Sequence, residues 1–154
     1  RHGRSQRATA EAEDRALRIF LDANVLVSLA VVSGGAIREI ADAWLVERRF
    51  TVLSSDAVLD EVERALAKPF FARRIAPADR AAYVALLRRE VVVVRPRTRV
   101  AGVAPHAEDD LVLAAAVDGE ARYLVTGDQA LRDLGAFRAV DIVTPREFLE
   151  LTRE

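Results

Sequence analysis

The sequence contains no cysteine and no methionine, and its 154 residues include only two histidines, His2 and His106. The absence of cysteine excludes disulfides, thiolate nucleophiles and cysteine-based zinc sites. Two histidines are too few for a histidine-rich metal centre, so a metal site in this chain would use oxygen ligands. The lack of cysteine also fits a reducing compartment, and we expect a cytoplasmic protein.

Long apolar runs and a strong charge imbalance are absent as well. The apolar stretch from Val25 to Val32 is too short to span a bilayer, and no signal-peptide pattern precedes it, so we expect no membrane association. The net charge of −1 gives no global positive field of the kind that indicates nucleic acid. With 51% hydrophobic and 31% charged residues, we expect one folded domain over residues 17–154, preceded by a polar, loosely ordered leader over residues 1–16.

Short apolar runs alternate with segments of helical periodicity, which predicts βαβ units and a mostly parallel sheet with helices on both faces. Thr144, Pro145 and Glu147 form the sequence pattern of a capping box, and Pro69 predicts the end of the third helix. The predicted strands are 18–21, 50–53, 91–94, 123–125 and 141–143, and the predicted helices are 25–30, 36–48, 57–67, 77–89, 109–118, 129–134 and 145–151.

Two acidic residues follow predicted strands. Asp22 lies between the apolar runs of RIFLDANVLVSLA, and Asp128 follows YLV in YLVTGD. The carboxyl ends of parallel strands share one edge of a sheet, where ligands gather, so these two carboxylates can face one site. Burying a carboxylate between apolar runs is costly unless a partner compensates its charge.

Two further acids lie on predicted helices. Glu61 falls on the apolar stripe of its helix, which includes Val58 and Val62, so its side chain is expected on the core side. Asp110 shares a face with Leu113 by the same rule, although this helix is apolar nearly all round and its face is less sharply defined. Each helix therefore directs an acid toward the core or along its edge.

Each of the four acids also has a purely structural interpretation. Asp22 and Asp128 can cap the helices that follow them, Glu61 can pair with an arginine, and Asp110 can interact with its helix dipole. Four buried carboxylates together, however, repel one another unless a cation neutralises them. Oxygen ligands select Mg²⁺ or Mn²⁺, and such an ion suits phosphodiester hydrolysis. Asn24 can support a ligating carboxylate by a hydrogen bond, or simply stabilise the turn.

The motifs LDANVLVS, DEVERAL, EDDLVLAAAVDGEARYLVTGD and VDIVTPREFLEL, in this order and spacing, resemble the PIN-domain family over residues 18–151. The nearest branch is that of toxins of toxin–antitoxin systems, similar to VapC-type ribonucleases. The resemblance implies a three-layer α/β/α fold with a sheet of about five strands. It also implies a Mg²⁺- or Mn²⁺-dependent ribonuclease that acts on RNA, is inhibited by a cognate antitoxin and forms homodimers, although no motif here requires a dimer.

The resemblance carries site residues over position by position. It assigns the metal and catalytic positions to Asp22, Glu61, Asp110 and Asp128, and supporting polar positions to Asn24 and Thr126. The chain departs from the family pattern at Ala23, His106, Ala107 and Ala130, where threonine, aspartate, proline and aspartate are usual. These departures concern the surroundings of the four acids rather than the acids themselves.

A basic segment with aromatic residues follows the Glu61 helix. Arg73 and Arg74 lie close in sequence to Phe70 and Phe71, and such a combination can hold phosphates and stack a base. Alternatively, the two phenylalanines belong to the core and the arginines are ordinary surface residues. Arg73 and Arg74 are therefore candidate RNA-binding residues, with this structural alternative open.

Other classes with acidic strand ends fit less well. Phosphoaspartate phosphatases need Asp-x-Asp-x-Thr after the first strand, receiver domains need a lysine after a late strand, and Rossmann nucleotide sites need G-x-G-x-x-G, and the sequence contains none of these patterns. The second alternative is a catalytically inactive PIN fold that binds RNA or a protein partner. The sequence thus favours a divalent-metal-dependent endoribonuclease.

Overall fold

The computed structural model describes residues 16–153, and its centre is one six-stranded sheet in the order β3-β2-β1-β4-β6-β5. Every neighbouring pair is parallel except β5 and β6, which form an antiparallel pair. The strands are β1 (Leu17–Leu21), β2 (Phe50–Ser54), β3 (Val92–Val93), β4 (Tyr123–Val125), β5 (Ala136–Phe137) and β6 (Val140–Val143).

The described residues contain eight α-helices. They are α1 (Ala23–Val31), α2 (Gly35–Ala41, continued by a π-helical turn over Asp42–Val46), α3 (Asp56–Leu66), α4 (Pro69–Ala72), α5 (Pro77–Glu90), α6 (Ala107–Asp118), α7 (Gln129–Leu134) and α8 (Pro145–Thr152).

The helices cover both faces of the sheet. The side chains of alternate residues in a strand point to opposite faces, and those of β2 contact a different helix on each face. The Phe50 ring packs edge-on against Phe148 of α8, with ring centroids 5.3 Å apart. On the opposite face, Leu53 lies against Gly119 at the end of α6, where an added Cβ would come within 2.8 Å of the leucine side chain. The fold is therefore the predicted three-layer α/β/α arrangement.

The central strands form the core that holds the site in place. The last three residues of β1 and all of β4 are buried, as expected for strands covered by helices on both faces. In their register Leu21 lies opposite Val125, so the residues after both strands emerge at the same edge of the sheet. The end of β1 and the turn after β4 are thereby fixed side by side.

Local signals place most element boundaries within two residues of prediction. The capping box at Thr144 and Glu147 is present, with Pro145 at the first helical position. The third helix, α3, ends at Leu66 with Ala67 as its C-cap, and Pro69 begins the short helix α4 instead of ending α3. Proline suits a first helical turn because that turn needs no N–H donor.

Two features differ from the sequence-based prediction. The sheet has a sixth strand, β5, a two-residue partner of β6 that is too short to show alternation. The predicted helix over 36–48 changes from α2 to a π-helical turn at Asp42. The leader predicted over residues 1–16 lies outside the described residues except for Ala16.

No single helix within residues 16–153 is long and apolar enough to cross a membrane. Only α1 together with α2 and its π-helical turn reaches the required length and composition, and this pair is bent by 96°.

Candidate active site

A cavity of about 340 Å³ opens at the carboxyl edge of the sheet and is lined by acidic side chains. It lies where β1 and β4 end, next to one face of α3 and the first turn of α6. Its polar lining consists of Asp22, Asn24, Ser28, Glu61, Glu108, Asp109 and Asp128. Three of the four predicted acids, Asp22, Glu61 and Asp128, therefore lie around one cavity, and Asp110 does not.

Asp22 is the most completely held of these carboxylates and is only 6% exposed. Its Oδ1 accepts the N–H of Ala23 at 2.8 Å, which makes it the N-cap of α1. Its Oδ2 accepts the hydroxyl of Thr126 at 2.7 Å and the amide of Asn24 at 3.2 Å. Burial raises the pKa of Asp22 and the negative charge of Asp128 adds to this, while the hydrogen bonds oppose it.

Thr126 and Asn24 connect the two strand ends. The fully buried Thr126 hydroxyl donates to Asp22 and accepts the backbone N–H of Asp128 at 3.0 Å. The side-chain Oδ1 of Asn24 accepts the backbone N–H of Gly127 at 3.1 Å. Asp128 in turn caps α7, because its Oδ1 accepts the N–H of Ala130 at 2.8 Å. Both strand-end acids therefore act as helix caps and also line the cavity.

The acids on α3 and α6 are held by fewer hydrogen bonds than Asp22. Glu61 is exposed on α3 as a whole residue, but its carboxyl is partly desolvated beside the cavity. This desolvation and the charges of Asp22, Glu108 and Asp109 raise its pKa, with an opposing effect of Arg64. Asp109 is half-buried, and its pKa is raised by burial and then by Asp128 and Asp22. Its Oδ2 is buried and has no hydrogen-bond partner among the described residues.

Asp110 has a different environment from the one predicted for it. Its carboxylate is only 5% exposed and accepts the N–H groups of Gly102 at 2.9 Å and Ala104 at 2.7 Å. Asp110 thus fixes the loop that precedes α6, and its neighbour Asp109 faces the cavity. Successive helix residues differ in direction by about 100°, so both cannot face the same way.

Sequence reasoning missed Asp109 and Glu108 because α6 lacks a distinct polar face. Five of its residues between 112 and 117 are apolar and buried, so periodicity does not decide which first-turn acid points inward. The one available signal is the run of three consecutive acids, Glu108, Asp109 and Asp110, in the first helical turn.

The chemistry of the donor set suits an oxygen-preferring divalent cation. The acids are all carboxylates, three have raised pKa values through burial and mutual repulsion, and one oxygen of Asp109 lacks a partner. The salt bridges between described residues lie elsewhere, for example between Arg88 and Asp60. Within residues 16–153, however, no three acidic or histidine side chains form a complete ligand set. The residue types fit such an ion, although the described side chains do not form a complete ligand set.

A second cavity of about 360 Å³ adjoins the first, and the two share Asn24, Ser28 and Asp128. Gly127 and Pro145 line its far side. The two cavities together form a groove, with Asp128 where they meet. On the opposite side, Phe71 of α4 forms part of the wall of the first cavity.

Comparisons with known proteins agree with this architecture. A family model described as PIN domain matches residues 18–130, which is more than half of the chain. The fold is similar to that in the crystal structure of VapBC2 from Rickettsia felis bound to a DNA fragment from its promoter. The TM-score is 0.56 at 12% identity, and the match covers 82% of this chain and 97% of that one. No curated protein matches. At this identity the structural likeness shows the fold alone.

Proposed function

Since the chain belongs to the PIN-domain family, whose members are generally nucleases, we propose that it is a divalent-metal-dependent endoribonuclease. The observation that carries this proposal is the convergence of Asp22, Glu61, Asp109 and Asp128 on one cavity. Like charges gathered in this way destabilise the metal-free protein unless a ligand compensates them. Such an arrangement is expected where the charges serve binding or catalysis.

These four carboxylates would hold Mg²⁺ or Mn²⁺. Asp109 takes the role that the sequence suggested for Asp110, and Asp110 positions the loop before α6. When bound, the cation would neutralise the carboxylates, attract a phosphate oxygen and make a nearby water more acidic. Glu61 and Asp109, which are held less firmly than Asp22, would have to complete the ligand set by small side-chain rotations.

The chain's own groups have distinct tasks in this proposal. Asp22 is oriented by Thr126, Asn24 and the N–H of Ala23, so it loses little freedom when it binds a ligand. Hydrolysis requires a water to attack phosphorus and lose a proton as a P–O bond breaks. In the metal-free protein, burial and the neighbouring carboxylates raise the pKa values of Glu61 and Asp109, and a bound cation would relieve this repulsion. The groove through both cavities would accommodate the strand on either side of the reacting phosphate.

RNA cleavage by neighbouring variants tests the proposal. Total RNA is incubated with the wild type, Asp109→Asn and Asp110→Asn, each in Mg²⁺ and in EDTA. We expect cleavage by the wild type in Mg²⁺ only, none by Asp109→Asn, and reduced but measurable cleavage by Asp110→Asn if it folds. Metal-independent cleavage, or equal cleavage by the wild type and Asp109→Asn, would refute the assignment.

A second candidate function is a catalytically inactive PIN module that binds RNA or a protein. The absence of a complete ligand set within residues 16–153 favours it. The melting temperature in Mn²⁺ separates the two candidates. The nuclease proposal predicts that Mn²⁺ raises the melting temperature of the wild type but not of Asp22→Asn, whereas an inactive module shows no difference.

We further propose the partners and setting that accompany this activity in toxin–antitoxin systems. VapBC2, one of the structural neighbours, is a toxin–antitoxin complex. By analogy, this chain would be the toxin, inhibited by a cognate antitoxin, active in the cytoplasm and able to form a homodimer. Co-expression with a candidate antitoxin tests the inhibition, and sedimentation of the purified protein tests the dimer.

A further inference from the structure

The rim of the acidic cavity carries two adjacent aromatic rings on α4. Phe71 lines the cavity, while Phe70 is directed outward and is 55% exposed. Their ring centroids are 4.9 Å apart and their planes are nearly perpendicular. Phe70 therefore rests edge-to-face on the cavity wall and leaves much of its own surface to solvent. Between residues 47 and 91 it is the only large hydrophobic side chain exposed in this way.

Arg74 lies over the Phe70 ring, with its guanidinium carbon 3.7 Å from the ring centroid. The same guanidinium donates a hydrogen bond to the backbone carbonyl of Phe70 at 2.6 Å. These two contacts hold a planar cation against the ring, a geometry stabilised by cation–π attraction. The result is a flat, positively charged surface next to a strongly negative cavity. Lys68 and Arg73 are exposed on the same segment.

We propose that Phe70 and Arg74 form a stacking platform for one unpaired base of an RNA strand whose neighbouring phosphate enters the acidic cavity. Aromatic rings and guanidinium planes are the usual surfaces on which proteins stack splayed-out bases. A base inside a duplex has both faces covered, so this platform selects single-stranded RNA. The inference rests on the proposed function and adds the residues of this chain that hold a base beside the cavity.

The charge distribution favours RNA over a protein segment as the occupant. The carboxylates of the cavity repel a phosphate backbone, so a polyanion needs positive groups close by, and this segment supplies them. A helix or strand of a protein partner would need a continuous apolar face. A single exposed ring covered by a guanidinium matches one base instead.

The experiment measures RNA binding in the Asp22→Asn background, in which cleavage is blocked. A short fluorescein-labelled single-stranded oligoribonucleotide and its paired duplex are titrated by fluorescence anisotropy. The variants are Phe70→Ala, Phe70→Trp and Arg74→Ala. Leu151→Ala and Arg89→Ala are matched controls, because Leu151 is 58% exposed on α8 and the Arg89 side chain is 70% exposed near the end of α5, away from α4.

We expect Phe70→Ala to raise the Kd for the single strand by about tenfold, as for the loss of one base stack, and Phe70→Trp to restore it. Arg74→Ala should also raise this Kd and reduce its salt dependence, whereas both controls leave binding unchanged. The platform is refuted by any of three results. The first is no measurable binding of the single strand. The second is an equal effect of Phe70→Ala and Leu151→Ala on its Kd. The third is that Phe70→Ala weakens the binding of duplex and single strand equally. Unchanged RNA binding with altered self-association in sedimentation would assign Phe70 to a protein contact and equally refute it.

Cleavage kinetics separate this inference from the nuclease proposal. In the active protein, Phe70→Ala should raise KM and leave kcat nearly unchanged, since Phe70 contacts no reacting atom. Phe70-dependent RNA binding by a protein that never cleaves RNA would support the platform and refute the nuclease. Cleavage with the same KM in the wild type and Phe70→Ala would refute the platform and keep the nuclease.

Discussion

The two sides of the acidic cavity are built differently. On the strand side, Asp22 and Asp128 cap helices and belong to a network through Thr126, so removing either one also breaks structural contacts. On the helix side, Glu61 is exposed and Asp109 has a buried oxygen without a partner among the described residues. The strand-side acids make structural hydrogen bonds and also line the cavity, whereas the helix-side acids have few structural contacts.

Because of this difference, substitutions on the two sides of the cavity should affect stability and activity differently. Substitutions on the strand side should reduce both, because hydrogen bonds and repulsion are lost together. Neutral substitutions on the helix side should remove repulsion and leave the fold intact, or stabilise it when no metal is bound. Asp110 provides an internal comparison, since it adjoins Asp109 but holds a loop outside the cavity.

The largest effect on activity is expected from Asp22→Ala. The change removes the N-cap of α1 and leaves the buried Thr126 hydroxyl without its acceptor, so we expect a stability loss of about 1–2 kcal/mol. Cleavage should fall below detection. Urea denaturation and RNA cleavage measure the two effects. A fully stable Asp22→Ala protein would contradict the structural role of the strand side.

Asp110→Ala is expected to destabilise the protein by about 2 kcal/mol, because the N–H groups of Gly102 and Ala104 lose a charged acceptor. Metal binding should survive in the folded protein, since the carboxylate lies outside the cavity. Urea denaturation and a Mn²⁺ titration measure these quantities, with Asp109→Asn as the matched control. Loss of Mn²⁺ binding by a folded Asp110→Ala protein would return Asp110 to the ligand set.

Thr126→Val tests the connection between the strand ends at nearly constant side-chain shape. It removes a hydroxyl that donates to Asp22 and accepts from Asp128, at a cost of about 1–2 kcal/mol. Because Asp22 loses an orienting contact, we expect metal affinity to fall about tenfold or more. Thr126→Ser, which retains the hydroxyl, should recover most of the affinity. Equal affinities of the Val and Ser variants would show that the connection has no functional role.

The smallest expected effect concerns stability in EDTA. The difference in stability between the wild type and Asp109→Asn should depend on pH. Burial is the main cause that raises the pKa of Asp109 in the folded state above its ordinary value of 3.8. Its protonation therefore stabilises the folded state below about that pH, and this contribution is lost as pH rises through the folded-state pKa. Asp109→Asn should gain stability relative to the wild type over the same rise, as measured by thermal melts. Saturating Mn²⁺ should reverse the order of the two proteins at neutral pH.

Much of the fold could be predicted because its signals are local. The strand at Tyr123–Val125 and the helix at Gln129–Leu134 have the predicted boundaries, and the capping box at Thr144 marks α8. The two-residue strand β5 could not be predicted, because it exists only through pairing with β6. The π-helical turn after α2 likewise has no local sequence signal that we recognise.

The sequence pointed to both strand-side acids and to Glu61 on the helix side, but not to Asp109. The position of an acid after a buried strand places it at the carboxyl edge whatever the surrounding packing, which is why Asp22 and Asp128 were found. The choice between Asp109 and Asp110 depends on the rotation of α6, and a helix that is apolar nearly all round does not reveal it. The hydrogen bond between Asp22 and Thr126 joins residues 104 positions apart and requires the folded sheet.

The central claim is that Asp22, Glu61, Asp109 and Asp128 jointly bind a divalent cation. Isothermal titration of Mn²⁺ into the wild type, Glu61→Gln, Asp109→Asn and Asp110→Asn tests it most directly. The account predicts saturable binding by the wild type and by folded Asp110→Asn, with at least tenfold weaker binding by Glu61→Gln and Asp109→Asn. No binding by the wild type, or equal binding by the wild type and Asp109→Asn, would contradict it.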